Sequence, residues 1–396
     1  MAVIQANTDL YTYSDMVQYV CDAHAVDRTG LNERHARSAV RYAYRDLPAR
    51  HQWNYYYRQQ LLQTVASYST GTVTFDYTGG TAERQLTLTT GTWPSWAAYG
   101  RIVIDNVHYD VATRESGTAI TLAETSNPGA DITDDTTFEI YRNSYPLPAN
   151  FGVMDGLWDV SSQFPINFID QRTQHTALQA FYDNPGQPLH ATIRATGKYL
   201  GGLEVILGPP PSDLLTYDML YLAQPRALAL DEYSAGSASI TAGTASVTGT
   251  STTFPVNCVG SIIRFSAGPT KPSGMLGSLD GTDNPFVHQG VVKTRTSATA
   301  LVLEEVMPSA VGNLTTVGYT ISDPIDVEPY RMLTALQRSA EAEFARLSGR
   351  QDASFKMGVA RKALLEAMEA DTTLDGARGR VIYNPLLRRA TVTNDA

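Results

Sequence analysis

The sequence predicts an α+β protein: a discontinuous helical core with a small β-sheet or hairpin, carrying two inserted, duplicated small β-barrel or sandwich domains. Three observations predict it. Apolar residues recur at three- and four-residue steps near both chain ends, the spacing of a helix with one buried face. Two internal stretches, 67–148 and 232–328, are rich in Thr, Gly and Ser and alternate in short runs, as strands joined by tight turns do. Those two stretches also repeat each other.

At the amino end, "YSDMVQYVCDAHA" offers Ser14 as N-cap, with Met16, Val17 and Val20 spaced for one buried face. "NERHARSAVRYAYRDL" follows, with Asn32 as N-cap, Ala36, Ala39, Val40, Ala43 and Leu47 at helical spacing, and Pro48 as the expected end. "WNYYYRQQLLQTVA" carries two signals, an aromatic opening that favours a strand and a Gln-Leu-Leu-Gln centre that favours a helix; the strand is the preferred reading, and "WNYYYR" is expected as core or interface. From Tyr68 the texture changes to "GTVTFDYT", "RQLTLTT", "GRIVIDN", "HYDVAT", "GTAITLAE" and "TFEIYR", five or six short strands.

Residues 149–231 change again: "HTALQAFYDN" suggests a short helix, and "DLLTYDMLYLA" a strand buried on one face. Pro209, Pro210 and Pro211 force a turn before it, since proline cannot donate to a sheet ladder.

The second Thr/Gly-rich stretch matches the first segment by segment. "SYSTGTVTF" (67–75) aligns with "EYSAGSASI" (232–240), "GRIVI" (100–104) with "GSIIR" (260–264), and "VATRESGTAITLAE" (111–124) with "VKTRTSATALVLEE" (292–305). The offset rises from 160 (260 − 100) to 181 (292 − 111), so the second copy carries 21 extra residues by this alignment. "AGPTKPSGMLGSLDGTDNPFV" fits them as an insertion.

The carboxyl end is helical. Tyr330, Leu333, Leu336, Ala340, Phe344 and Leu347 form one stripe, and Gly349 interrupts it. Asp352 can cap a second segment with Met357, Ala360, Leu364 and Met368 on one stripe. These stripes are expected as core or subunit-contact surface. The tail, 373–396, is irregular, apolar and basic. It carries Arg378, Arg380, Arg388 and Arg389 together with Val381, Ile382, Tyr383, Leu386 and Leu387, and is punctuated by Pro385. Such a segment is expected to dock.

The economical arrangement is one core of 7–66, 149–231 and 329–372, with a barrel at 67–148, another at 232–328, and a docking tail at 373–396. Two equivalent decorations on one core suggest a spacing, collar or docking role.

Composition narrows the function. A formal charge of −10 argues against a general nucleic-acid binder, which needs a basic face, but suits a protein past which DNA slides. Two cysteines, Cys21 and Cys258, make no disulfide framework and point to a reducing compartment. The start, "MAVIQANTDLYTYSD", lacks the basic and apolar regions of a secretion signal, and no apolar run reaches the roughly 18 residues of a membrane span.

The search for chemistry yields no catalytic or metal constellation, so the expectation is a non-enzyme with no cofactor and no metal. His24, His35, His51, His108, His175, His190 and His288 show no ligand spacing. "DITDD" (131–135) and "LDGTDN" (279–284) lack the distal bidentate Glu of a calcium loop and read as solvated turns. Paired carboxylates for glycoside hydrolysis meet only in a fold and stay open here. "WPSWAAYG" (93–100) is either a plug for a small barrel or a sugar-stacking platform built on Trp93, Trp96 and Tyr99. Arg338, Arg346, Arg350 and Arg361 are expected on a solvated or ion-paired helix face rather than against DNA.

"TALQRSAEAEFARLSGRQDASFKMGVARKALLEAMEAD" (334–371) resembles the C-terminal helical region of tailed-bacteriophage head-to-tail adaptor, or connector, proteins. "LPARHQWNYYYRQ", "YPLPANFGVMDGLWDV" and "LGPPPSDLLTYDMLYLAQP" support the resemblance, which covers a little over half the chain. The two barrels depart from compact members of that family and resemble Thr/Gly-rich modules of phage virion proteins. The resemblance implies a homo-oligomeric ring, commonly of twelve subunits, in the virion neck and assembled in the host cytoplasm. It would lie beneath the portal protein, continue the DNA channel without sequence-specific contact, offer a platform to a tail, nozzle or hub protein, and touch no membrane. Arg378, Arg380, Val381, Ile382, Tyr383, Pro385, Leu386, Leu387, Arg388 and Arg389 would dock to the portal or a neighbouring subunit. Tyr330, Leu333, Leu336, Phe344, Leu347, Met357, Leu364 and Met368 would make subunit contacts. The alternative is another tail, decoration or receptor-binding protein whose β modules bind host glycans.

Overall fold

The computed structural model describes residues 11–78, 82–177, 185–196, 202–271, 286–328 and 331–377. Among them are the helices α1 (Tyr13–Ala23), α2 (Gly30–Arg50), α3 (Gln171–Ala177), α4 (Met332–Leu347) and α5 (Ala353–Ala377), in a mixed α+β fold in which strands predominate. By contact the chain forms two compact units, Met1–Tyr56 with Pro225–Ala396, and Tyr57–Gln224.

In the first unit α4 packs against α1, α2 and α5, so helices from both chain ends share one bundle. The cap of α1 is Thr12 rather than Ser14: Asp15 N–H donates to Thr12 Oγ1 at 3.3 Å, and Thr12 N–H donates back to Asp15 Oδ2 at 2.8 Å. Ser14 instead donates its hydroxyl to Glu232 at 2.9 Å. Likewise α2 starts after Thr29 rather than Asn32, and it runs through Pro48 to Arg50. A proline in the last turn removes a single intrahelical bond, and only two helical residues follow it.

The buried stripes of α1 and α2 are those expected from spacing: Met16, Val17 and Val20, then Ala36, Ala39, Val40, Ala43 and Leu47. On α4, Leu336 and Phe344 are wholly buried and Leu333 nearly so, within the bundle of their own chain. They are core, one of the two roles expected of this stripe. Leu347 is half-buried, and Tyr330 lies outside the described residues. On α5 the inward positions are Ala360 and Ala367, Leu364 and Met368 are half-buried, and Met357 is 52% exposed. Gly349, at φ +64°, breaks the two helices where the sequence placed the interruption.

In the second unit, Thr216–Ala223 is the central strand between Tyr57–Gln63 and Phe151–Asp159. Its burial alternates residue by residue, as "DLLTYDMLYLA" predicted. The strand expected from "WNYYYRQQLLQTVA" is Tyr57–Gln63, preceded by a 3₁₀ turn at Asn54–Tyr56. A four-stranded sheet orders Asn167–Phe168, His190–Ala195, Leu203–Gly208 and Ser144–Pro146. The short helix expected at 175–184 begins earlier, as α3, and 178–184 lie outside the described residues. The strands of 149–223, expected beside the terminal helices, thus belong by contact to the other unit, because their ladders close on Tyr57–Gln63 and Ser144–Pro146.

The repeat is a repeat of structure. The first copy orders its strands Ile132–Thr136, Val73–Asp76, Gln85–Leu88, Ala119–Leu122, Val107–Arg114, Arg101–Ile104 and Phe138–Tyr141. The second orders Leu314–Val317, Ser237–Ile240, Ser246–Thr250, Ala300–Leu303, Phe286–Ser297, Ile262–Ser266 and Tyr319–Ser322, position for position the same. Each curled sheet encloses its own apolar core. Matching bridges, Tyr68 to Ile140 and Tyr233 to Ile321, join corresponding points. The arginine of the shared Thr-Arg motif makes the same bond in both copies. Arg114 Nη2 donates to the Trp93 carbonyl at 3.0 Å, and Arg295 Nε donates to the Phe254 carbonyl at 2.8 Å.

One segment of the expected alignment is corrected. Ile102 pairs with Ile140, and Ile263 with Ile321; Val111 N–H reaches the Gly100 carbonyl, and Val292 N–H that of Ser261. Gly100 therefore corresponds to Ser261, not Gly260. The offset is 161 (261 − 100), and between this segment and the next the second copy carries 20 extra residues (181 − 161). The first copy turns this hairpin with Asp105 and Asn106, both at positive φ (50° and 63°), the two-residue turn that suits twisted strands. The longer connection of the second copy includes 272–285, outside the described residues.

Candidate functional site

A cavity of about 550 Å³ in the first unit, lined largely by charged side chains, lies where α1 and the start of α2 meet the second β copy. Backbone contacts set this junction. Tyr13 N–H donates to the Asp323 carbonyl at 2.7 Å, Ile325 N–H to the Tyr11 carbonyl at 2.9 Å, and Ser14 N–H to Ser322 Oγ at 3.0 Å. The Asp323 carboxylate, wholly buried, accepts the N–H groups of Ala229 and Leu230 and the Ser261 hydroxyl, each at 2.7 Å, and pairs with Arg226 at 3.0 Å.

Two clusters of opposite charges fill the cavity wall. In one, Arg264 donates from Nη1 to Asp15 Oδ2 at 2.7 Å, with its guanidinium 5.1 Å from the centre of the Phe286 ring. In the other, Arg28 pairs with Asp231 (3.0 Å), Glu232 (3.3 Å) and Glu33 (3.5 Å). Arg37 sits 2.6 Å from Asp231 by Nε and 3.0 Å from Glu33 by Nη2, and Lys271 pairs with Glu232. The Arg37 Nε contact, to Asp231 Oδ2, is ionic without the alignment of a hydrogen bond, since Arg37 Nε has no hydrogen-bond partner among the described residues.

Burial dominates at Asp231, pushing its carboxyl above the usual range against the pull of Arg28 and Arg37. At Glu232 burial pushes the same way, but Lys271, Arg28 and Ser14 together outweigh it and the net direction is down. Each cavity-lining cation named here already holds a carboxylate. The arrangement is a clamp that fastens α1 and α2 to the second β copy, and an incoming ligand would have to displace an ion pair.

Asp15, Arg28, Arg37, Asp231, Glu232 and Arg264 are not among the residues that the sequence pointed to. One signal could have found Arg264: at the corrected offset its counterpart in the first copy is Val103, so an arginine stands inside an otherwise apolar strand. Ile262 and Arg264 are both buried because the outer face of that strand is covered as well as the inner one.

The other expected candidates are placed as follows. Trp93 is fully buried in the core of the first copy, where it packs on Phe138 with ring centres 5.0 Å apart, and Phe254 fills the matching position of the second. The plug reading of Trp93 therefore holds; Trp96 is partly buried and Tyr99 more exposed. Asp131 of "DITDD" accepts the Tyr77 N–H at 2.7 Å, and "LDGTDN" lies outside the described residues. Arg338 pairs with Glu341 at 2.9 Å and Arg346 with Glu343, ion pairs of the expected kind, whereas Arg350 donates to the His24 carbonyl at 3.0 Å. Arg361 is exposed. Among the described residues no group of three His, Cys, Asp or Glu side chains could hold a metal ion. No described helix is long and apolar enough to cross a membrane. The docking residues Arg378, Arg380, Val381, Ile382, Tyr383, Pro385, Leu386, Leu387, Arg388 and Arg389 lie outside the described residues.

No protein-family model matches the chain, and comparison with curated proteins and with solved structures finds no match.

Proposed function

We propose that the chain is a structural virion protein of a tailed bacteriophage, forming a ring between portal and tail that continues the DNA channel and presents a tail-attachment platform. The observation that carries this reading is the stretch 334–371, whose sequence resembles the helical end of head-to-tail adaptors. It forms two consecutive helices broken at Gly349, the first of them packed on helices from the opposite chain end. Two structurally equivalent β copies and a cavity occupied by its own ion pairs fit a scaffold better than a reaction vessel. The net charge of −10 suits a channel wall that DNA passes without adhering.

Light scattering on the purified protein, alone and mixed with portal-bearing capsids, tests this. A closed ring, or a monomer of about 43 kDa that joins capsids stoichiometrically, is the expected result. A stable trimer indifferent to capsids would overturn the assignment in favour of a fibre or receptor-binding protein.

A further inference from the structure

The three-stranded sheet of the second unit has two edges of different character. The edge strand Phe151–Asp159 carries two register irregularities, between Phe151 and Val153 and between Met154 and Gly156. Bulges of this kind blunt an edge against pairing. The opposite edge, Tyr57–Gln63, pairs with Thr216–Ala223 without any irregularity over seven residues and contains neither Lys nor Pro.

Which of its backbone groups face outward follows from one hydrogen bond. Thr64 N–H donates to the Leu215 carbonyl at 2.9 Å, continuing the ladder, so Leu62, Gln60 and Arg58 also turn their groups toward the partner strand. The alternate residues, Tyr57, Gln59, Leu61 and Gln63, present N–H and C=O to the open side. The ends of that row are closed. The Tyr57 carbonyl accepts from Arg58 Nη1 at 3.0 Å, and Val65 N–H donates to the Tyr145 hydroxyl at 3.2 Å. Between them, Gln59–Gln63 is a five-residue stretch of edge that no other described strand pairs with. Gln59, Leu61 and Gln63 are exposed, Leu61 at 59%, while Leu62 on the other face packs on the sheet's core.

We propose that this edge receives Arg380–Asn384 from the tail of a neighbouring copy as a fourth, antiparallel strand, with Leu61 opposite Ile382. The tail supplies a segment of the right length and kind. Arg380-Val381-Ile382-Tyr383-Asn384 is five residues long, β-branched and aromatic at its centre, and bounded by Gly379 and Pro385, which stop a strand. The pairing sets Gln59 against Asn384 and Gln63 against Arg380. Ile382 then covers the exposed Leu61, while Val381 and Tyr383 extend the apolar face begun by Leu62. A contact from the tail of one copy to the edge of the next is heterologous, the type that closes rings. The choice of another copy as donor rests on the ring reading above.

The test uses two single-cysteine variants of the full chain, Leu61→Cys and Ile382→Cys, mixed under mild oxidation. Opposed residues of a hydrogen-bonded antiparallel pair stand about 5.5 Å apart at Cα, within disulfide reach, and the native Cys21 and Cys258 are buried. The expected result is a covalent dimer from the mixture and none from either variant alone. No dimer from the mixture, or Leu61→Cys linking to itself, would overturn the proposal; the second outcome would show two edges pairing with each other. Capsid binding by the same variants, measured separately, keeps the readings apart. Binding without cross-linking sinks only the tail site, and cross-linking without binding sinks only the adaptor reading.

Discussion

Arg264 and Asp15, 249 positions apart in sequence, form a buried ion pair at 2.7 Å in which the carboxylate that caps α1 also neutralises an arginine of the second β copy. One oxygen, Asp15 Oδ2, accepts from Thr12 N–H, the Thr12 hydroxyl and Arg264. The end of a helix and the outer face of a strand are thereby specified together. The pair is surrounded by protein: Arg264 is 2% exposed.

Arg264→Ala should therefore destabilise the first unit by about 3–5 kcal/mol, because Asp15 is left as an uncompensated buried charge. Chemical denaturation read by circular dichroism checks this. A loss below about 1 kcal/mol would mean that water reaches Asp15 freely and that the clamp is not structural.

Gly71 and Gly236 occupy matching places in the two copies, at φ +94° and +76°, and a Cβ there would come within 2.2 Å of the Thr90 carbonyl oxygen and 2.4 Å of the Thr250 carbonyl oxygen. Substituting either with Ala should cost more than the ~1 kcal/mol of a positive φ alone, since the obstacle is backbone. Gly129, at φ +73° with open space around it, provides the control. Equal losses for Gly71→Ala and Gly129→Ala would refute the close-approach argument.

Stability should fall as the pH drops below about 6.5, the usual histidine value, because two histidines resist protonation in the folded chain. Burial lowers the pKa of His24, whose ring lies tilted against Phe344 with centres 4.6 Å apart and whose Nδ1 has no hydrogen-bond partner among the described residues. Lys356 and Arg350 push the same way, against Glu341 and its carbonyl. Burial alone lowers that of His288, stacked on Phe265. A depressed folded pKa leaves the contribution intact above the unfolded value and removes it as pH falls toward the folded one. Denaturation midpoints between pH 7.5 and 5.5 should decline, and His24→Gln should flatten the decline. An unchanged slope in that variant would exclude His24 as a source.

Trp93→Ala should cost about 3–5 kcal/mol through the cavity it opens, whereas Trp96→Ala should cost much less. A glycan array supplies the complementary readout: specific sugar binding lost in Trp96→Ala with stability preserved would favour the glycan-binding alternative over a neck adaptor.

Much of the fold was legible in the residues, for physical reasons that are local. Helical spacing placed α1, α2, α4 and α5 and the buried faces of the first three, while on α5 only Ala360 of the expected stripe is buried; the φ preference of glycine placed the break at Gly349. Alternation identified Thr216–Ala223, and the repeated Thr-Arg and Leu-x-Glu motifs announced two β copies whose strand orders coincide. Where the reading slipped, the competing force was long-range. Ser14 lost the cap of α1 to Thr12 because Ser14 is drawn to Glu232, a residue 218 positions away. The alignment at Gly260 was one residue out because Ile262 and Ile263 are both buried, one on each face, so hydrophobicity could not tell which faced the core. Ladder pairing, with its period of two, decided it.

The sequence by itself determined which segments are helix or strand, that a β unit occurs twice, and that the chain is acidic with a basic, apolar tail. Those properties depend on neighbours within a few residues or on sums over the chain. The tertiary structure alone decided that Leu336 and Phe344 are core, that Arg264 answers Asp15, and that one sheet edge is bulged while Gln59–Gln63 is open. Partners hundreds of positions apart meet only when packing brings them together, and local spacing carries no record of that meeting.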